Sequence, residues 1–240
     1  MSVRVAVFAS GGGTTFQALL DHVGAAAAPT WTVDLLVSDR PDVVALERAV
    51  TAGVPAVVVS DRGRGPAEVA AETLRALRDH ETQAVCLAGY LRLVPADVVA
   101  AFDHRMLNVH PALLPAFGGK GMYGDRVHQA VLDSGALVSG PTVHLVDAEY
   151  DHGTPIAQWP VPVLPGDAIG DLRNRVQVAE RALYPLVVDH LAGAIMRGGA
   201  PRPLSLCRGA FARADQVSVT GAPTAVVRDI MTHAFNEEEN

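Results

Sequence analysis

Val3-Arg4-Val5-Ala6-Val7-Phe8-Ala9 runs without a break into Ser10-Gly11-Gly12-Gly13-Thr14-Thr15-Phe16-Gln17. A short Val/Ala-rich run reads as a strand, the glycines as a tight turn, and residues 15 to 24 as a helix. The same alternation continues outward. Strand-like runs recur at 33–37, 55–59, 84–88 and 105–110, with helical patterns at 41–53, 66–80 and 95–102 between them. Pro41, Pro66 and Pro95 stand where proline opens a helix, and Gly53 where glycine closes one. Strands joined by helical crossovers predict an α/β, doubly wound, mostly parallel sheet with helices on both faces. Residues 142–146 and 157–163 read as further strands and 168–192 as a long helix containing Pro185. Residues 1–195 are expected to form a single domain. After about 195, Gly198, Gly199, Pro201 and Pro203 interrupt the pattern and Glu237-Glu238-Glu239 follow, predicting a short hairpin and a frayed acidic tail.

At 240 residues and 49% hydrophobic content, the chain can bury a sizeable core. A formal net charge of -7 with no Lys/Arg block argues against a general binder of nucleic acid or membrane surfaces. Cys86 and Cys207 lie far apart and have no zinc-type spacing, so reduced thiols and no metal are expected. The first strand begins at once, without a charged leader and apolar segment, which predicts a cytoplasmic protein. The chain is compatible with a homodimer.

The glycine loop opens a helix, where free backbone N–H groups and the helix dipole favour an anion. It has neither the Gly-Lys-Ser/Thr of a Walker loop nor the Gly-x-Gly-x-x-Gly of dinucleotide binders, so it suits a monophosphate, with a simple tight turn as the lesser alternative. Within Leu107-Asn108-Val109-His110-Pro111, alternation puts Asn108 and His110 on one side and Leu107 and Val109 on the other. A carboxamide N–H can stabilise an oxyanion and an imidazole can move a proton, so the pair suits acyl-group chemistry. On spacing alone, a structural histidine is the commoner reading.

Six blocks in this order resemble the glycinamide ribonucleotide formyltransferases of purine synthesis, from residue 3 to about 195. They are Ser10-Gly-Gly-Gly-Thr-Thr-Phe-Gln17, Leu87-Ala-Gly-Tyr-Leu-Arg-Leu93, Leu107-Asn-Val-His-Pro-Ala-Leu-Leu-Pro115, Gly140-Pro-Thr-Val-His144, Asp151-His-Gly153 and Arg175-Val-Gln-Val-Ala-Glu180. The resemblance implies formyl transfer from 10-formyltetrahydrofolate, as co-substrate, to the glycyl amine of the ribonucleotide through a tetrahedral intermediate. It assigns catalysis to Asn108, His110 and Asp151, and ribonucleotide binding to Gly13, Thr14, Thr15 and Glu180. It assigns the folate to Leu91, Arg92 and Val94 and to Val146, Ala148 and Tyr150. Thr142 and His144 are supporting residues. Lys120, in the glycine-rich stretch 117–124, is a candidate for the phosphate, and that stretch for a lid. Taken alone, Asp151 would pass as a turn residue capping backbone groups. The chain departs from the pattern at Thr15, where many relatives carry Asn.

Three other classes share features of this pattern. Formyltetrahydrofolate hydrolases resemble it around Asn-x-His and Asp but usually carry an extra N-terminal domain. Methionyl-tRNA formyltransferases add a basic C-terminal domain, and the tail here is acidic. A non-catalytic nucleotide-binding module of the same fold would not require Asn108, His110 and Asp151.

Overall fold

The computed structural model describes residues 2–204. Strands β1 (Val3–Phe8), β2 (Trp31–Ser38), β3 (Ala56–Val58), β4 (Ala84–Leu87) and β5 (Met106–His110) are parallel, β7 (Thr142–Leu145) pairs antiparallel with β5, and β8 (Pro155–Gln158) pairs antiparallel with β7. The seven-stranded order is β3-β2-β1-β4-β5-β7-β8. The chain leaves β1 toward β2 and β3 and then returns across it to β4, so the order reverses between β1 and β4. Ligands of open α/β sheets bind outside the carboxyl ends of the strands at such a point. Here Ser10, after β1, donates its N–H to the Gly89 carbonyl (3.2 Å), and its hydroxyl accepts the Leu91 N–H (2.9 Å).

Helices α1 (Thr14–Ala25), α2 (Val44–Ala52) and α6 (Ile169–Met196) cover one face, and α3 (Pro66–Asp79) and α4 (Ala96–Ala101) the other. Strand alternation feeds both cores: Val3, Val5, Val7 and Ala9 pack toward α1 and α6, and Ala6 and Phe8 toward α3 and α4. In α6, Leu183, Val187 and Leu191 recur at helical spacing on the sheet, while Tyr184 sets its buried hydroxyl 3.2 and 3.1 Å from the carbonyls of Leu87 and Leu107. Pro185 lies inside α6 without ending it. Cys86 is a free, buried thiol in β4. Among the described residues, no helix is long and apolar enough to cross a membrane.

Several boundaries differ from those read in the sequence. Pro41 does not open α2, which starts at Val44 behind an extended Val43. Gly53 does close it, in the left-handed region at φ 67. The run 157–163 is not one strand. Trp159-Pro160 divides it, and β9 (Val161–Pro162) pairs instead with β6 (Val138–Ser139). The helix α5 (Asp125–Asp133) and β6 were not anticipated, and α6 runs to Met196, four residues beyond its expected end. The hairpin and tail expected near the C-terminus fall, beyond Leu204, outside the described residues.

Candidate active site

The glycine loop is shaped by backbone contacts on one side. Gly11 accepts the Ala45 N–H through its carbonyl (3.1 Å), and Gly12 accepts Arg48 Nε–H (2.9 Å). The N–H groups of Gly11, Gly12 and Gly13 have no acceptor among the described residues. Gly13 adopts φ 67, and a Cβ there would meet Ala45 Cα at 2.9 Å, so only glycine lets α1 start this close to α2. The next residue but one, Thr15, donates its hydroxyl to the Glu180 carboxylate and so joins α1 to α6. Burial pushes the Glu180 carboxyl above the ordinary carboxylate range, with the Thr15 hydroxyl, Arg181 and His110 acting against it.

Asn108 stands opposite His144 across the antiparallel β5/β7 pair, and His110 opposite Thr142. His144 Nδ1 lies 2.8 Å from the Leu145 carbonyl, a partner that can only accept, so the ring carries its proton there and offers Nε2 as an acceptor. Asn108 Nδ2 reaches that nitrogen at 3.0 Å and Asp151 Oδ1 at 3.3 Å. Flipping the amide would set its oxygen against two acceptors, so His144 and Asp151 together fix which end of Asn108 is the donor. Burial lowers the His144 pKa, which agrees with a neutral ring.

Asp151 approaches the same strand from the loop after β7. Its Oδ2 accepts the Gly119 N–H (3.0 Å) and lies 3.4 Å from His110 Nδ1, a charge contact rather than a well-aimed hydrogen bond. Burial alone would raise the Asp151 pKa. The His110 imidazole beside it outweighs that effect, with the Gly119 N–H and His144 adding to it, and holds the carboxyl below its usual range. On the other side of the ring, His110 Nε2 is 2.9 Å from the Phe117 carbonyl. Both ring nitrogens thus face oxygen atoms, one of Asp151 and one of Phe117.

Two close approaches hold Asp151 in place. Asp151 itself has φ 54, and a Cβ on Gly118 would meet Leu114 Cδ2 at 2.6 Å and Asp151 Cβ at 3.1 Å. At Gly153 a Cβ would fall 1.8 Å from the Leu145 carbonyl oxygen. Gly153→Ala is therefore expected to push the loop off the end of β7. The cost is about 1–3 kcal/mol or more, a fall in melting temperature on the order of 5 °C, with a larger loss of activity as Asp151 moves. Thermal melts and initial rates on the purified variant check both, and an unchanged melting temperature would contradict this packing.

These groups line one cavity of about 470 Å³ at the carboxyl edge of the sheet, between the glycine loop, the segment after β4, the loop 119–124 and one face of α6. Gly13, Thr14, Thr15, Leu91, Asn108, His110, Lys120, Tyr150, Asp151 and Glu180 all line it. Other residues singled out in the sequence do not. Arg92 is held away by Asp39 (3.1 Å) and Asp61 (3.3 Å), and Val94 is buried in the core under α4. Val146 packs against the same core, and Ala148 is exposed beyond the cavity lining. Thr142 lies buried behind β5, donating to the Ala112 carbonyl (2.7 Å) and accepting the Leu114 N–H (3.0 Å), while His144 acts through Asn108.

Sequence reading missed Arg126, His128, Arg173 and Gln177, which also line the cavity. Arg173, Gln177 and Glu180 recur at helical spacing, a signal that was present in the sequence. Among the described residues, no three of His, Cys, Asp and Glu are grouped as metal ligands would be.

A glycine loop at the switch point, with a carboxamide, an imidazole and a carboxylate converging beside it, defines a site for acyl-group chemistry. The chain matches the family model described as Formyl transferase over residues 3–188, and it belongs to that family. Within the family it is 45% identical over 188 residues to the chloroplastic phosphoribosylglycinamide formyltransferase of Arabidopsis thaliana, covering 77% of this chain and 64% of that protein. It is 40% identical over 193 residues to the protein of the same name from Vigna unguiculata, covering 78% and 60%. The chain thus spans less than two thirds of these plant relatives. The crystal structure of glycinamide ribonucleotide transformylase 1 from Symbiobacterium toebii superposes with a TM-score of 0.74 at 39% identity, covering 80% of this chain and 88% of that one.

Proposed function

We propose that the protein transfers a formyl group from 10-formyltetrahydrofolate to the glycyl amine of glycinamide ribonucleotide, in the cytoplasm. The observation that carries this reading is the convergence of Asn108, His110 and Asp151 on the cavity lined by the glycine loop and Glu180. The acceptor's phosphate takes the free N–H groups of Gly11 to Gly13, its ribose hydroxyls donate to Glu180, and its amine reaches the formyl carbon beside Asn108. Leu91 and Tyr150 flank the folate, and backbone groups around Arg92, Val94, Val146 and Ala148 read its ring edge.

As the amine nitrogen bonds to the formyl carbon, the carbonyl oxygen gains charge. The Asn108 N–H now spent on the long contact to Asp151 turns to that oxygen, joined by an N–H of His110. Asp151 keeps His110 oriented and, through water, passes the amine's proton to N10 as the C–N10 bond breaks. The products are the N-formyl amide and tetrahydrofolate. Following donor consumption by absorbance with and without the ribonucleotide tests the proposal: turnover must require the ribonucleotide.

Glu180→Gln is expected to raise KM for the ribonucleotide about tenfold, as one charged acceptor is lost, while KM for the folate stays unchanged. In the unaltered protein KM for the ribonucleotide should also rise as pH falls through the raised Glu180 pKa, because protonation removes that acceptor, and Glu180→Gln should flatten this limb. Steady-state kinetics against pH for the two proteins check the pair of outcomes.

A further inference from the structure

His128, on α5, lines the cavity at 2% exposure, and no hydrogen bond among the described residues satisfies it. Its Nδ1 is sealed from solvent without a partner among the described residues. A proton there would have no acceptor. Burial first, then the charges of Arg173 and His110, hold the ring neutral against the pull of Asp125. The neutral tautomer that leaves a lone pair on the sealed nitrogen carries its proton on Nε2, the nitrogen through which the ring can reach the cavity. An unpaired buried imidazole costs stability unless something else meets that N–H.

The surroundings say what would. Lys120 and Arg126 line the same cavity with no carboxylate partner among the described residues, Arg126 resting over the Tyr123 ring at 5.1 Å. Arg173 Nη1 bonds Asp125 (2.8 Å) at the start of α5, and it stands in line with Gln177 and Glu180 on α6. Three cations and a neutral donor stand together here, with Asp125 bonded to Arg173, while the two carboxylates that line the cavity, Asp151 and Glu180, already accept from Asn108, Gly119 and Thr15, so the ligand group here is an anionic oxygen. The α6 row that ends at Glu180 ties this end of the cavity to the ribose side of the ligand rather than to the folate.

We propose that His128 Nε2–H, with Lys120, Arg126 and Arg173, forms an anion subsite for the phosphate monoester of the ribonucleotide, adding side-chain donors to the backbone N–H groups of the glycine loop. This rests on the proposed acceptor for the ligand's identity, but its test does not need turnover. Calorimetry on the full chain would measure ribose 5-phosphate and p-aminobenzoylglutamate binding to the unaltered protein, His128→Leu and His128→Gln. His128→Leu should weaken ribose 5-phosphate about tenfold, and His128→Gln, whose amide can replace the Nε2 donor, should recover most of it. Aminobenzoylglutamate binding should not change.

Lys120 and Arg126 are exposed, so Lys120→Ala and Arg126→Ala test the subsite in proteins whose folding is not at stake, and each should lower ribose 5-phosphate affinity. Equal ribose 5-phosphate affinity in all variants would overturn the subsite, and a loss confined to aminobenzoylglutamate would assign it to a folate tail instead. Failure of the unaltered protein to bind ribose 5-phosphate would overturn the phosphoribosyl acceptor itself, which separates the two conclusions.

Discussion

Asp151→Asn is expected to lower kcat on the order of 10²–10⁴-fold, the range for losing a positioned acid–base group. The substitution keeps shape and backbone: asparagine tolerates the left-handed conformation at φ 54 as readily as aspartate. What changes is charge and hydrogen-bond polarity. The carboxylate accepts from Gly119 and Asn108 and faces His110, three partners that all present N–H groups. An amide can accept at one end only, so its NH2 must confront either Asn108 or the Gly119/His110 side. The imidazole then loses the group that orients it, and the route for the amine's proton is cut. Single-turnover rates would show the loss in the chemical step, with a melting temperature close to that of the unaltered protein. A kcat within a few-fold of the starting value would remove Asp151 from the mechanism.

Asn108→Ala is expected to cost 10²–10³ in kcat, about 2.7–4 kcal/mol of barrier, the loss of one preorganised oxyanion donor. Its donor end is set by His144 Nε2 at 3.0 Å. His144→Phe, which removes that acceptor and leaves the carboxamide free to turn, should therefore give a smaller fall in kcat with little change in either KM. Equal activity of Asn108→Ala and the unaltered protein, measured at saturation with both substrates, would contradict an oxyanion role.

Much of this architecture was legible in the sequence because it rests on local rules. A Val/Ala run, three glycines and a helix start define the switch-point loop, and the two-residue period of a strand is enough to set Asn108 beside His110. Their partner was not legible in that way. Asp151 lies 41 residues beyond His110, in a left-handed turn that any capping aspartate could occupy, and only the resemblance to a family singled it out. Gly153 and Gly118, which hold it there, announce nothing in the sequence, since the atoms a side chain would strike come from Leu145 and Leu114. The helix α5 escaped notice because nine residues with Val127 and Val131 as their apolar spacing give little periodic signal after a glycine-rich stretch. Arg173 and Gln177 escaped because polar residues on a helix ordinarily face solvent. Arg92 shows the reverse: it falls in a block that matches the family, yet Asp39 and Asp61 draw its guanidinium out of the cavity.

In the proposed reaction the formyl carbon ends on the amine of a ribonucleotide and not in water. The direct measurement is carbon NMR of a reaction started with donor carrying a 13C formyl group and glycinamide ribonucleotide. All of the label should leave the folate and appear as N-formyl amide, with none in formate and no consumption when the ribonucleotide is left out. Label appearing as formate at the same rate with or without the ribonucleotide would contradict the transferase and make the protein a hydrolase of the folate.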